Sequence, residues 1–377
     1  MAQARTAERL RPRALPTAGA LLAIFLACCG CGPGEAVGGP PSITFTTVPG
    51  FGRVGDFGGT VSGLDATTRD SSKLAFFVYV PGQGWWNKPT DEQRLVDIGA
   101  DGSWSADLIT GGIDQMLTRV AAFLVPADYT PPLVHGDASL PQELSQHALA
   151  SAIRERQPKE IEFSGRTWWV KHSDPLIGPG PNYFSDSTDN VRVDDDGRLH
   201  LRITNPSGRW TCAEVVSQDV LGYGKYVFQL ATRVDLLDAN VVAGLFTYDE
   251  TIDSPNREID IEFSRWGDPT AQNAQYVVQP WDTPGNRERF AIDLGGDPDT
   301  TNVFDWTADS ILFQTWLGHD ADPPEDATIH SWDYTGADVP TEGGEVRARI
   351  NLWLRSGEAP TDGQPAELVI AKFEYTE

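Results

Sequence analysis

The stretch Glu258-Ile259-Asp260-Ile261-Glu262-Phe263 alternates acidic and apolar residues without a break. Period-two alternation marks a half-buried strand, because successive side chains leave a strand on opposite faces. Ile259, Ile261 and Phe263 then share a face that can enter a sheet core. Glu258, Asp260 and Glu262 share the other, which must look at solvent or a cleft. Acidic residues are disfavoured in strands and like charges on one face repel, so three in a row need a reason.

The pattern around this strand is of the same kind. Strand candidates follow at 190–193, 198–203, 226–233, 241–248, 275–281, 310–316, 347–354 and 368–375, with Asp194-Asp195-Asp196-Gly197 as a hairpin signal between the first two. No long helical period interrupts them. Residues 160–377 therefore read as one large β-sandwich or jelly roll. Upstream, short strands at 43–47, 59–61, 74–80, 96–98 and 119–124 with turn punctuation suggest a small immunoglobulin-like β-sandwich over 42–140. Residues 141–159 have helix-compatible composition up to Pro158 and read as a helical connector. The expected fold class is all-β, in two domains. The length of 377 residues suits that count, and 40% hydrophobic residues with 12 Trp and 16 Phe suffice for sizeable cores.

The N-terminus reads as a leader. Arg5, Arg9, Arg11 and Arg13 precede an apolar run over 14–27 that is too short to span a bilayer. Leu26-Ala27-Cys28-Cys29-Gly30-Cys31 resembles a bacterial lipobox, in which one of Cys28, Cys29 and Cys31 would be lipidated after cleavage; an ordinary signal peptide is the alternative. Residues 32–41, rich in Gly and Pro, form a tether. The expected location is the cell envelope or the exterior, with membrane contact only through the lipid. A formal net charge of −25, from 29 Lys and Arg against 54 Asp and Glu, argues against nucleic acid or an anionic membrane surface as partner.

Carboxylates at 258, 260 and 262 have a chemical use. Four residues of strand separate the glutamate Cα atoms by roughly 13 Å. Inward-leaning side chains approach the roughly 5–5.5 Å carboxyl separation of retaining glycosidases. Crowded like charges cannot all ionise easily, so one pKa rises and supplies a general acid. A solvated acidic strand and a calcium site are the competing readings, although calcium usually takes its oxygen ligands from a loop that wraps the ion.

Further motifs give the segment company. Leu245-Phe246-Thr247-Tyr248 before the acidic strand, Cys212-Ala213-Glu214, Leu221-Gly222-Tyr223-Gly224-Lys225-Tyr226, 306–313 and Asn351-Leu352-Trp353 stand in an order that resembles glycoside hydrolase family 16, and within it the bacterial lichenases. The resemblance covers roughly residues 160–377. It implies a concanavalin A-like jelly roll with an open polysaccharide cleft and endo-cleavage with retention. By motif position, Glu258 would be the nucleophile, Glu262 the acid/base and Asp260 the assisting residue. Glu214, Asn351 and Trp353 match cleft positions, and Gln279 and Trp281, expected to share a strand face with Gln275, are read with them as substrate-binding residues. No cofactor is implied; a structural calcium ion is compatible with the family, but no ligand set here identifies one. A monomer acting on a polysaccharide is expected.

The departures bear on substrate. Val216 stands where lichenases have Arg, Val277 where Asn is usual, and Asn256-Arg257 replace Trp-Asp. Cys212 lacks its usual partner near 182–185 and is expected to be a lone buried thiol. Mixed-linkage glucan is therefore not implied; another β-glucan, a galactan or an exopolysaccharide fits equally. A transglycosylase on the same residues and a non-catalytic polysaccharide-binding envelope protein are the alternatives. Trp168, Trp169, Trp266, Trp306, Trp316 and Trp332 read as core or rim, and Gly84-Trp85-Trp86-Asn87-Lys88-Pro89 as a turn with its tryptophans packed beneath it. The six histidines are scattered and make no zinc signature.

Overall fold

The computed structural model describes residues 39–377 except 112–113, 250–255 and 322–324. The leader and Cys28, Cys29 and Cys31 lie outside the described residues. The expected runs become strands except at 96–98, where Val96 makes only an isolated bridge to Leu74. Two antiparallel sheets build the larger unit. One has eight strands in the order Arg287–Phe290, Ala274–Val278, Glu258–Phe263, Val241–Asp249, Val346–Leu354, Ala213–Ser217, Arg166–Val170 and Lys159–Phe163. The other has seven, in the order Val191–Val193, Leu199–Ile203, Ala366–Thr376, Gly224–Ala231, Asp299–Trp306, Ile311–Leu317 and Thr328–Tyr334.

The apolar faces of the two sheets meet in one core. Trp168, Phe184, Tyr226, Phe228, Ile259, Ile261, Phe263, Tyr276, Phe304 and Trp306 are buried within it. Each such side chain contributes roughly 1.5–3 kcal/mol on leaving water. The chain is an all-β jelly-roll sandwich, and the acidic strand occupies exactly the range 258–263 read from its alternation. Burial of Ile259, Ile261 and Phe263 leaves Glu258, Asp260 and Glu262 on the outer face of the eight-stranded sheet.

Residues 42–155 build two smaller sheets. Ser42–Thr47, Phe57–Ser62 and Ser103–Ala106 form one; His135–Asp137, Gly84–Lys88, Ser72–Val80, Arg119–Pro126 and Ala150–Glu155 form the other. Phe57, Leu74, Phe76, Trp104 and Leu124 fill the space between them. Two expectations are corrected here. Residues 141–159 are not a helical connector: only Glu143–His147 is helical, and Ala150–Glu155 pairs along Arg119–Pro126, so edge pairing overrides composition. Residues 84–88 are a strand rather than a turn, with Trp85 buried on one face and Trp86 half-buried and stacked on His135.

The loop at 49–54 joins the smaller unit to the jelly roll. Gly52 has φ 75°, and a Cβ there would fall 1.9 Å from the His172 carbonyl oxygen, so only glycine fits. Arg53 pairs with Asp186 at 3.0 Å. Arg156, buried beneath the loop, donates to the carbonyls of Pro49, Gly50 and Arg53, and burial lowers its pKa to about 10.

Candidate active site

Strand register turns the outer face of the eight-stranded sheet into rows, because residues directly opposite each other in paired strands point the same way. Glu214 faces Asn351, Asn351 faces Gly244, Gly244 faces Glu262, Glu262 faces Gln275 and Gln275 faces Arg289. This polar row crosses six strands. The next row runs Trp169, Val216, Arg349, Phe246, Asp260, Val277 and Arg287. Beyond it Arg347, Tyr248 and Glu258 stand side by side.

Hydrogen bonds divide the three carboxylates. Gln275 Nε2 donates to Glu262 Oε2 at 2.7 Å, and Arg289 Nε donates to Gln275 Oε1 at 2.9 Å. Gln279 Nε2 donates to Asp260 Oδ2 at 3.1 Å, and its own Oε1 accepts from the Trp281 backbone at 3.0 Å. Asp260 and Glu258 share a hydrogen bond.

Electrostatics follow from this placement. Burial pushes Asp260 well above the usual carboxylate range, and the charges of Glu258 and Glu262 on either side push it further. Asp260 is the member that holds a proton, which it donates to Glu258. Burial also raises Glu258, but the Asp260 hydrogen bond and Arg349 oppose the rise. Glu262 is pushed up to about 7, chiefly by burial and with help from Glu258, against the Gln275 hydrogen bond and the charges of Arg289 and Arg287. The result is a carboxyl that is protonated near neutrality beside one whose ionised form receives a hydrogen bond.

The other expected residues divide. Asn351 lies in the polar row, 3% exposed, and its Oδ1 has no hydrogen-bond partner among the described residues. A Cβ on Gly244 would come within 2.5 Å of that oxygen, so glycine keeps the floor low between Asn351 and Glu262. Trp353 shares the face, half-buried, with Trp266 edge-on at 6.0 Å. Glu214 is in the row but only 1% exposed. Its oxygens pair with Lys171 at 2.9 Å and Arg349 at 3.2 Å, which makes it a buried anchor for two cations rather than a sugar contact. Trp281 is not on the strand face shared by Gln275: the strand ends at Val278, and Trp281 follows in a turn. It stands 55% exposed beneath the Arg287 guanidinium, 5.2 Å from its ring centroid.

Sequence reading missed Lys171, Trp169, Arg287, Arg289 and Arg349. The strands that hold Trp169, Arg287 and Arg289, and the one that Lys171 directly follows, were not read, since 166–170 and 287–290 lack clean alternation, and the 213–217 strand that aligns Glu214 was missed too. Arg349 does lie on a strand that was read, at an outward position that alternation could have flagged. Cys212 is a free, buried thiol whose pKa burial raises to about 12. Among the described residues no group of three or more His, Cys, Asp or Glu is arranged to hold a metal ion.

No protein-family model and no curated protein matches the chain. Solved structures do. The structures it resembles are β-glucanases and other glycosyl hydrolase family proteins. A Bacillus licheniformis β-glucanase is similar at 23% identity with a TM-score of 0.42, over 59% of this chain and 96% of its own. A lichenase from a mouse hindgut metagenome gives 21% and 0.38, over 55% and 91%. An immunostimulatory antigen and pseudo β-1,3-glucanase of Mycobacterium tuberculosis gives 21% and 0.42, over 56% and 91%.

Proposed function

We propose that the chain is a retaining endo-glycosidase that hydrolyses a β-linked polysaccharide laid across the polar row. The observation that carries this reading is geometric: Glu258, Asp260 and Glu262 stand on one outer face of a single strand with different partners, Gln275 donating to Glu262, Gln279 to Asp260, and Asp260 sharing a hydrogen bond with Glu258, while burial pushes Glu262 up to about 7. Glu262 gives its proton to the departing glycosidic oxygen as a Glu258 oxygen attacks the anomeric carbon. The carbon–glycosidic oxygen bond breaks and a glycosyl ester forms. Water then attacks the same carbon, Glu262 takes the water's proton, and the Glu258 carboxylate departs. Asp260 stabilises Glu258 while it is ionised. Trp353, half-buried on the same face, offers a ring for the sugar's CH face.

Reducing-end release on mixed-linkage glucan, laminarin, xyloglucan and galactans, with Glu258→Gln alongside, tests the reading. Release on one polymer, abolished by the substitution, is expected. Glycan binding by the wild-type protein without release on any polymer would instead favour a capture protein. The basic-then-apolar leader and its cysteines support export as a lipoprotein, for which incorporation of labelled palmitate, lost when Cys28, Cys29 and Cys31 are all replaced by Ser, is the check.

A further inference from the structure

The two ends of the outer face of the eight-stranded sheet treat their cations differently. At the Ala213–Ser217 end, Lys171 and Arg349 are both paired with Glu214, and nearby Arg347 pairs with Glu345 at 3.0 Å. At the Arg287–Phe290 end Glu288 pairs with His330 at 3.3 Å, but neither arginine has an ion pair among the described residues. Arg289 spends Nε on Gln275, and neither of its terminal nitrogens has a partner among the described residues. Arg287 is exposed, lies over the Trp281 ring and makes no ion pair there either. Their register opposite Gln275 and Val277 puts both on the cleft face, two strand spacings or about 10 Å from the acidic strand.

Two guanidinia on one face, two residues apart, repel each other. A chain with 54 acidic residues against 29 basic ones had ample means to pair them. Both charges act on Glu262 from a distance, but that leaves the terminal nitrogens of neither guanidinium engaged by a carboxylate. An exposed indole beneath the Arg287 guanidinium, with Arg289 two residues along the same strand face and neither arginine held by a carboxylate, matches one kind of ligand: a sugar whose CH face packs on the open face of Trp281 and whose substituent is a planar or tetrahedral oxyanion.

We propose that Arg287, Arg289 and Trp281 form an anion subsite of the cleft, and that the polysaccharide it serves bears carboxylate or sulfate groups. The assignment rests on the glycosidase reading of the same cleft and narrows its substrate class. Non-specific attraction is not an alternative, since the net charge of −25 repels a polyanion.

The test is affinity electrophoresis of the protein, and of its Arg287→Ala and Arg287→Ala/Arg289→Gln variants, in gels containing a neutral β-glucan or β-galactan, or the same polymer carboxymethylated or sulfated. An anionic form should bind about tenfold more tightly than its neutral parent. That preference should shrink between 50 and 200 mM salt, fall in Arg287→Ala with affinity for the neutral polymer unchanged, and vanish in the double variant. Preference for the carboxymethylated or the sulfated arm identifies the substituent. Equal or weaker binding of both anionic forms, or a preference that survives the double substitution, overturns the subsite while leaving the glycosidase reading intact. Failure to bind any polymer, neutral or anionic, overturns both.

Discussion

The two faces of strand Glu258–Phe263 are one residue apart and obey different physics. Inward, Ile259, Ile261 and Phe263 are fully buried among aromatic neighbours, where shape and volume decide the energy. Outward, three carboxylates stand where burial works against their charge. Substitutions inward should therefore cost stability and spare chemistry, and substitutions outward should do the reverse.

The largest expected effect breaks the outer face at Glu258, the proposed nucleophile. Glu258→Gln keeps the volume, and should lower kcat by roughly 10³-fold or more while glycan binding persists; single-turnover assays and affinity electrophoresis read the two. Next comes a case that crosses the comparison. Glu214 lies on the outer face yet is as buried as a core residue, so Glu214→Ala should behave like a core lesion, leaving Lys171 and Arg349 without their carboxylate. A loss of about 3 kcal/mol or more in urea unfolding is expected.

Glu262→Gln sharpens the contrast. The folded-state pKa lies above the usual glutamate value, so the folded chain holds a proton that the unfolded chain releases. That contribution is fully present below about pH 4.5 and is lost as pH rises through about 7. The variant should match wild type near pH 4 and be more stable by about 3 kcal/mol at pH 8, while losing activity. Wild-type kcat should fall on the alkaline side with a limb near 7. Smallest is the inner face: Ile261→Val should cost about 1 kcal/mol and leave KM and the pH limb unchanged.

The legibility of the chain follows the same division. Where one side of a strand is core and the other is not, alternation reveals it, as at 199–203 and 258–263, and the hairpin at Asp194–Gly197 formed between paired strands as its turn residues imply. Strands near a sheet edge that carry large aromatic or charged side chains were missed. Arg166–Val170 and Arg287–Phe290 put Trp, Arg and Glu where alternation expects a simple polar face. Ala150–Glu155 was hidden because its composition suits a helix and only a neighbouring strand makes it extended. The trio Glu258, Asp260 and Glu262 was readable from spacing. The row linking it to Asn351, Gln275 and Arg289 was not, because it exists only once six strands, distant in sequence, are brought into register.

Cys212 lends the molecule a clock. Its thiol is wholly enclosed in the main core and its pKa is raised to about 12, while the other three cysteines all fall within the first 31 residues. A thiol-modifying reagent can react with it only when the sandwich opens. In a chain beginning after Cys31, the labelling rate at position 212 therefore counts openings of the jelly roll directly, without denaturant and without any assay of sugar chemistry.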